Sequence, residues 1–137
     1  MPLSETPAGE QLVSIVDDDA SVRRSTGRLL SASGLRVEAF ASAEAFLQSD
    51  RVDQTSCLLL DMRMPGMDGL GLQRRLAESG WKVPIIFLSA QASEDEQRRA
   101  LAAGASSFLH KPVGRDQLLH AIRTALRGPT AGAGLES

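Results

Sequence analysis

The chain has 137 residues, in which 15 Lys and Arg stand against 17 Asp and Glu, so its formal net charge is −2 at pH 7. A hydrophobic content of 42% is ordinary for a soluble protein and predicts one domain that folds alone. The acidic balance argues against direct binding to nucleic acid, because no excess of basic side chains displaces counterions from phosphates. No apolar stretch approaches the roughly 20 residues of a membrane helix, and the first residues lack signal-peptide features, so we expect a cytoplasmic protein without membrane contact.

Five short apolar runs after residue 10 predict β-strands. They lie at residues 12–16, 36–40, 57–60, 83–88 and 107–109. Their nearly continuous hydrophobicity favours strands buried on both faces of a parallel sheet, since a half-exposed sheet would alternate apolar and polar residues. Cys57, inside the third run, is interpreted as a core residue and not as a nucleophile.

Segments with a helical spacing of apolar residues separate these runs. The last of them places Leu118 and Ile122 on one face. Asp19 is predicted to cap the first helix, and the stretch from Ser93 to Glu96 fits a capping box at the start of the fourth. Each predicted helix therefore has one apolar face to bury against a sheet.

The alternation of strand and helix predicts an α/β domain over residues 11–127. We expect a flavodoxin-like (βα)5 fold, with a doubly wound, five-stranded parallel sheet of order 2-1-3-4-5. Residues 1–10 are predicted to form a disordered arm and residues 128–137 a flexible tail or linker, because both combine Gly and Pro with few apolar side chains.

Polar side chains follow four of the predicted strands, and in a parallel sheet they would meet at one edge. They are Asp17, Asp18 and Asp19 after the first strand, then Asp61, Ser89 and Lys111 at the third, fourth and fifth. The first and third strands are neighbours in the expected order, so their carboxylates converge and repel one another. A hard divalent cation such as Mg²⁺ relieves this repulsion, and such a site can accept an incoming phosphoryl group.

Two further groups of residues are interpreted as structural or solvent-exposed. Gly66 and Gly69, in the turn after Asp61, are predicted to adopt positive φ. The arginine pairs are predicted to lie on solvated helix faces; they are residues 23–24, 74–75 and 98–99.

Four motifs resemble the receiver domain of bacterial two-component response regulators, a CheY-like superfamily. They are Ile-Val-Asp-Asp-Asp at 15–19, the run from Leu59 to Gly69, Phe-Leu-Ser-Ala at 87–90, and Gly-Ala to Lys-Pro at 104–112. Residues 40–47 and 72–76 further resemble the FixJ-like, LuxR-type branch, whose members usually carry a helix-turn-helix output domain.

The resemblance implies that Asp61 receives a phosphoryl group from a sensor histidine kinase or a phosphotransfer protein. It also implies that Asp18, Asp61 and the backbone carbonyl of Arg63 contact Mg²⁺ or Mn²⁺, with Asp17 acting through bound water. The chain would then be a signalling switch that controls transcription through an output domain or partner outside this sequence. It would promote only its own phosphorylation and dephosphorylation, and would not be an enzyme with a separate substrate.

By the same resemblance, Lys111, Ser89 and Ala90 contact the phosphoryl group. Ser89 and Phe108 form the switch: when the Ser89 hydroxyl is drawn to the phosphoryl group, the Phe108 ring fills the space it leaves. The altered surface comprises the fourth helix, fifth strand and fifth helix, which also offers a face for a homodimer.

Three other functions compete with this interpretation. A Mg²⁺-dependent phosphohydrolase that forms an aspartyl phosphate needs a general acid two positions after the nucleophile, where this chain has Arg63. A flavin-binding electron carrier needs a phosphate loop after the first strand, where three aspartates would repel the phosphate. A receiver that acts unphosphorylated as a scaffold would not need the acidic cluster and Lys111.

Overall fold

The computed structural model describes residues 11–127. Five parallel strands form one sheet of order β2-β1-β3-β4-β5. The strands are β1 (Leu12–Val16), β2 (Arg36–Phe40), β3 (Thr55–Asp61), β4 (Ile85–Ser89) and β5 (Ser107–His110). This confirms the predicted fold class and strand order. The predicted arm and tail, residues 1–10 and 128–137, lie outside the described residues.

Helices cover both faces of the sheet. They are α1 (Ala20–Ala32), α2 (Ala43–Gln48), α3 (Gly69–Glu78), α4 (Glu94–Ala102) and α5 (Arg115–Arg127). Among the described residues, no helix has the length and apolar character needed to cross a membrane.

The predicted helix caps are confirmed. The Asp19 carboxylate accepts hydrogen bonds from the backbone N–H groups of Ser21 and Val22 at the start of α1. At α4, Ser93 and Glu96 exchange side-chain to backbone hydrogen bonds in a capping box. These bonds satisfy N–H groups that have no partner within a helix, and fix where the helix begins.

Two apolar clusters lie on opposite faces of the sheet. One joins Ile15 and Leu59 to helices α1 and α5, and the other joins Leu60 and Phe87 to helices α2, α3 and α4. Cys57 lies in the first cluster with no exposed surface, and burial raises the pKa of its thiol to about 12. A thiol with this pKa stays protonated at neutral pH, which confirms that Cys57 is a core residue.

The strand predictions need correction in burial and in bounds: β3 extends over Thr55–Asp61 and β5 over Ser107–His110, beyond the predicted 57–60 and 107–109. Strands β1, β3 and β4 are nearly fully buried, but β2 is half-buried or exposed because it is an edge strand with a neighbour on one side only. Strand β4 begins at Ile85 instead of residue 83, because Pro84 has no N–H to donate to the sheet.

Candidate functional site

The carboxyl ends of the strands bring three acidic side chains together. Oxygens of Asp17, Asp18 and Asp61 all lie within 4.8 Å of one another. Asp17 follows β1 and Asp61 ends β3, and these strands pair directly, with Val16 opposite Leu60. Asp17 is 1% exposed and Asp61 is 6% exposed, whereas Asp18 is open to solvent. The predicted convergence of these carboxylates is therefore present in the fold.

The Asp17 side chain is held by donors on both carboxylate oxygens. Its Oδ1 accepts from the Asp19 N–H at 2.9 Å, and its Oδ2 accepts from Lys111 Nζ at 2.9 Å. The Arg23 guanidinium donates to the backbone carbonyl of Asp17 at 2.8 Å. Arg23 was predicted to be solvated but instead supports the acidic site. It can reach Asp17 because α1 starts directly after Asp19 and Arg23 lies in the first turns of that helix.

Lys111 spans two of the carboxylates. Its Nζ lies 2.9 Å from Asp17 and 3.4 Å from Asp61, and its backbone N–H donates to the Ser89 carbonyl at 2.8 Å. The peptide bond between Lys111 and Pro112 is cis. Burial alone would lower the pKa of Lys111, but the hydrogen bonds to and negative charges of the two aspartates outweigh it, so its pKa is raised.

The pKa of the Asp61 carboxyl is raised above that of an ordinary aspartate. Burial and the neighbouring charge of Asp17 raise its pKa to about 6, against an opposing effect of Lys111. A smaller contribution from Asp18 acts in the same direction as Asp17. Three acidic groups with one ammonium leave an excess of negative charge, which a cation or a proton must balance.

A hollow of about 220 Å³ opens onto these groups. Its lining consists of Asp17, Asp18, Asp19, Asp61, Arg63, Ala90, Gln91 and Lys111. Ala90, which the resemblance assigns to phosphoryl binding, therefore borders the acidic cluster, and so does Arg63 two positions after Asp61.

The two residues assigned to the switch lie deeper. Ser89 is fully buried, and within the described part of the chain its Oγ has no hydrogen-bond partner. The Phe108 ring is 9% exposed and stacks on Phe87, with centroids 5.9 Å apart. The His110 ring lies against it at 5.5 Å.

Glu44 supports the loop after Asp61 and was not predicted to do so. The Glu44 carboxylate of α2 accepts a hydrogen bond of 3.2 Å from the Met67 N–H and so tethers the loop after Asp61. Gly66 in that loop has the predicted positive φ, at +77°. Gly69 does not, and its role is close packing: a Cβ there would lie 2.7 Å from the carbonyl oxygen of Asp61.

The profile of the response regulator receiver domain family matches residues 13–123. This chain belongs to that family. The receiver domain is similar to the response regulator protein TmoT of Ectopseudomonas mendocina, with 46% identity over 118 residues, which are 86% of this chain and 54% of TmoT. It is similar to the transcriptional regulatory protein TdiR of Thauera aromatica, with 45% identity over 114 residues, or 83% of this chain and 50% of TdiR.

A solved structure of the response regulator StyR resembles this receiver domain with a TM-score of 0.82 and 40% identity, covering 93% of this chain and 64% of that one. The chain spans about half the length of the curated relatives it matches. Membership of the receiver family implies phosphorylation-dependent signalling.

Proposed function

We propose that this receiver domain takes a phosphoryl group on Asp61 from the phosphohistidine of a sensor kinase or a phosphotransfer protein. The observation that carries this proposal is the cluster of Asp17, Asp18 and Asp61 oxygens within 4.8 Å, with Lys111 bound to two of the three. The phosphorylated domain then controls transcription through an output domain or partner. The name of the relative TdiR, a transcriptional regulatory protein, supports that output.

In the proposed transfer, a carboxylate oxygen of Asp61 forms a bond to phosphorus as the phosphorus to nitrogen bond of the donor breaks. The bonding electron pair leaves with the imidazole nitrogen, and the product is an aspartyl phosphate. The transition state is loose, so the site acts by positioning and by stabilising charge on the phosphoryl oxygens. The position of Lys111 supports this role, because its ammonium lies 3.4 Å from Asp61 and is held from the other side by Asp17.

The donor set fits Mg²⁺ or Mn²⁺. Hard divalent ions prefer carboxylate, carbonyl and water oxygens, and Asp18 and Asp61 offer two carboxylates on a site that is open at Asp18. The Arg63 carbonyl would add a third oxygen, and Asp17, whose two oxygens already accept hydrogen bonds, would act through water. When bound, the ion would neutralise negative charge on the carboxylates and on the incoming phosphoryl group.

The buried hydroxyl of Ser89 supports a switch driven by a phosphoryl group. A buried polar group without a partner costs about 1 to 3 kcal/mol, and a phosphoryl oxygen would supply the missing acceptor. Ser89 pairs with His110 in the sheet register, and the His110 ring contacts the Phe108 ring, so a shift at Ser89 reaches β5 directly. The surface formed by α4, β5 and α5 would carry the signal, and we infer that it also serves any homodimer.

A separate phosphohydrolase activity is less well supported. The position two residues after Asp61 is Arg63, whose guanidinium cannot donate a proton as a general acid at neutral pH. Its donors are directed to Glu96 and Gln91. We therefore propose that the domain is not an enzyme with a separate substrate. We also retain the cytoplasm as its proposed location, where a sensor kinase would phosphorylate it.

Phosphate-affinity electrophoresis with acetyl phosphate and Mg²⁺ tests the proposal. We expect a retarded band for the wild-type chain, none with EDTA, and none for Asp61→Asn. The matched control is Asp53→Asn, which changes an exposed acid just before β3, at the opposite end of that strand from Asp61, and it should shift like the wild type. A retarded band for Asp61→Asn would contradict the assignment of the phosphoacceptor.

A further inference from the structure

The Arg63 side chain connects two loops at the mouth of the acidic hollow. Its Nη2 donates a hydrogen bond of 2.6 Å to Glu96 Oε1, and its Nε donates one of 3.2 Å to the Gln91 carbonyl. Arg63 belongs to the loop after β3, Gln91 to the connection between β4 and α4, and Glu96 to the first turn of α4. A single guanidinium thus ties the segment that leads into α4 to the loop that follows the phosphoacceptor.

Glu96 takes part in two interactions through the same atom. Its Oε1 accepts from Arg63 and also from the Ser93 N–H at 3.0 Å, in the capping box. The Glu96 side chain is 21% exposed and that of Arg63 is 60% exposed. A displacement of the guanidinium therefore changes the environment of the atom that closes the first turn of α4.

A phosphoryl group on Asp61 would offer Arg63 a stronger partner. It adds about 1.5 to 2 negative charges to the hollow that Arg63 already lines. A planar guanidinium binds phosphoryl oxygens through two parallel hydrogen bonds, whereas its bond to Glu96 is single in this structure. The two anionic groups would compete for one side chain, because Arg63 is anchored only two residues from Asp61.

We propose that the Arg63–Glu96 ion pair holds the start of α4 to the phosphoacceptor loop in the unmodified protein, and that the phosphoryl group on Asp61 takes Arg63 from Glu96. Both are then positioning residues, which act on α4 and not on the transferred group's bonds. This inference rests on the proposed function of Asp61. Coupling between two sites is reciprocal. If phosphorylation weakens the ion pair by a given factor, loss of the ion pair must favour the phosphorylated state by the same factor.

Glu96→Gln tests the proposal with little damage to the fold. Glutamine keeps the acceptor that the capping box requires and removes the negative charge. Glu94→Gln is the matched control, since it removes a charge from the same first turn and Glu94 is not bonded to Arg63. The probe is beryllofluoride with saturating Mg²⁺, which mimics a phosphoryl group on the carboxylate, and its Kd is measured by calorimetry.

We expect Glu96→Gln to tighten beryllofluoride binding by about 3- to 10-fold and Glu94→Gln to change it by less than about 2-fold. In an Arg63→Ala background, Glu96→Gln should have no effect, because the side chain for which Glu96 and beryllofluoride compete is gone. Amide exchange across residues 91–97 of the unmodified protein should be faster in Glu96→Gln than in Glu94→Gln.

The outcomes separate this inference from the proposed function. If the wild type binds beryllofluoride, but Glu96→Gln and Glu94→Gln bind it equally, the competition is overturned and the role of Asp61 stands. If the wild type neither binds beryllofluoride nor is phosphorylated, the role of Asp61 is overturned. Equal amide exchange in the two variants would overturn the hold of the ion pair on α4.

Discussion

The ammonium of Lys111 donates a hydrogen bond of 2.9 Å to Asp17 across the carboxyl edge of the sheet. The strands that precede these two residues, β5 and β1, are separated in the sheet by β3 and β4, so the side chain reaches over the end of β3, where Asp61 lies. One positive charge is thereby shared by two buried carboxylates, and Asp18 adds a third acid. This imbalance is the physical reason to expect a cation at the site.

Magnesium should stabilise the folded protein. A ligand that binds only the native state at 100 times its Kd raises the free energy of unfolding by about 2.7 kcal/mol. Denaturant unfolding with and without Mg²⁺ should show this gain in the wild type and lose most of it in Asp18→Asn. Glu78→Gln, at the far end of α3, should keep the full gain. An unchanged gain in Asp18→Asn would remove Asp18 from the metal site.

The raised pKa of Asp61 predicts that the free energy of unfolding depends on pH. The folded protein binds more protons than the unfolded chain between the ordinary pKa of 3.8 and the folded value of about 6, so stability falls as pH rises through this range. Without Mg²⁺, Asp61→Asn should be more stable than the wild type by about 1 to 3 kcal/mol at pH 7. The difference should vanish near pH 3, measured by urea unfolding. The control Asp50→Asn, at an exposed site, should track the wild type at both pH values.

Two buried serines on the sheet predict opposite responses to alanine. Ser14 Oγ is bonded to Thr55 Oγ1 at 2.6 Å, whereas Ser89 Oγ has no partner in the described part of the chain. Ser14→Ala should lower the free energy of unfolding by about 1 to 2 kcal/mol, and Ser89→Ala should leave it unchanged or raise it by about 1 kcal/mol. Ser89→Ala should also lose the change in amide exchange at β5 that beryllofluoride causes in the wild type. A large destabilisation by Ser89→Ala would show that its hydroxyl already has a native partner.

Two glycines predict opposite effects of alanine on the stability of the fold. A Cβ at Gly69 would lie 2.7 Å from the Asp61 carbonyl oxygen, whereas one at Gly27, in α1, would meet its nearest atom at 3.9 Å. Gly69→Ala should destabilise the fold by about 1 to 3 kcal/mol through overpacking. Gly27→Ala should stabilise it by about 0.5 to 1 kcal/mol through helix propensity. Thermal unfolding distinguishes the two, and equal effects would contradict the close approach of α3 to β3.

The sequence was sufficient to predict the features that depend on the local pattern and on the topology of parallel sheets. Residues 12–16 and 36–40 form strands as expected, and Asp17 and Asp61 meet because their strands are neighbours. Contacts of long side chains were not predictable, because residues such as Arg63 and Glu96 lie 33 positions apart and meet only through the packing of α4. The exposure of β2 depends on its place at the sheet edge and on its two charged residues, Arg36 and Glu38, of which the sequence showed only the second cause.

The most direct test of the phosphoacceptor site is to map the modified residue after incubation with acetyl phosphate and Mg²⁺. An aspartyl phosphate is an acyl phosphate, so hydroxylamine should release the phosphoryl group and borohydride should reduce the phosphorylated side chain to homoserine. We expect intact-mass spectrometry to show one phosphoryl group per chain, and peptide mapping to place the reduced residue at position 61. Absence of the mass gain, or a modified residue elsewhere in a protein with Asp61 intact, would contradict the proposed function.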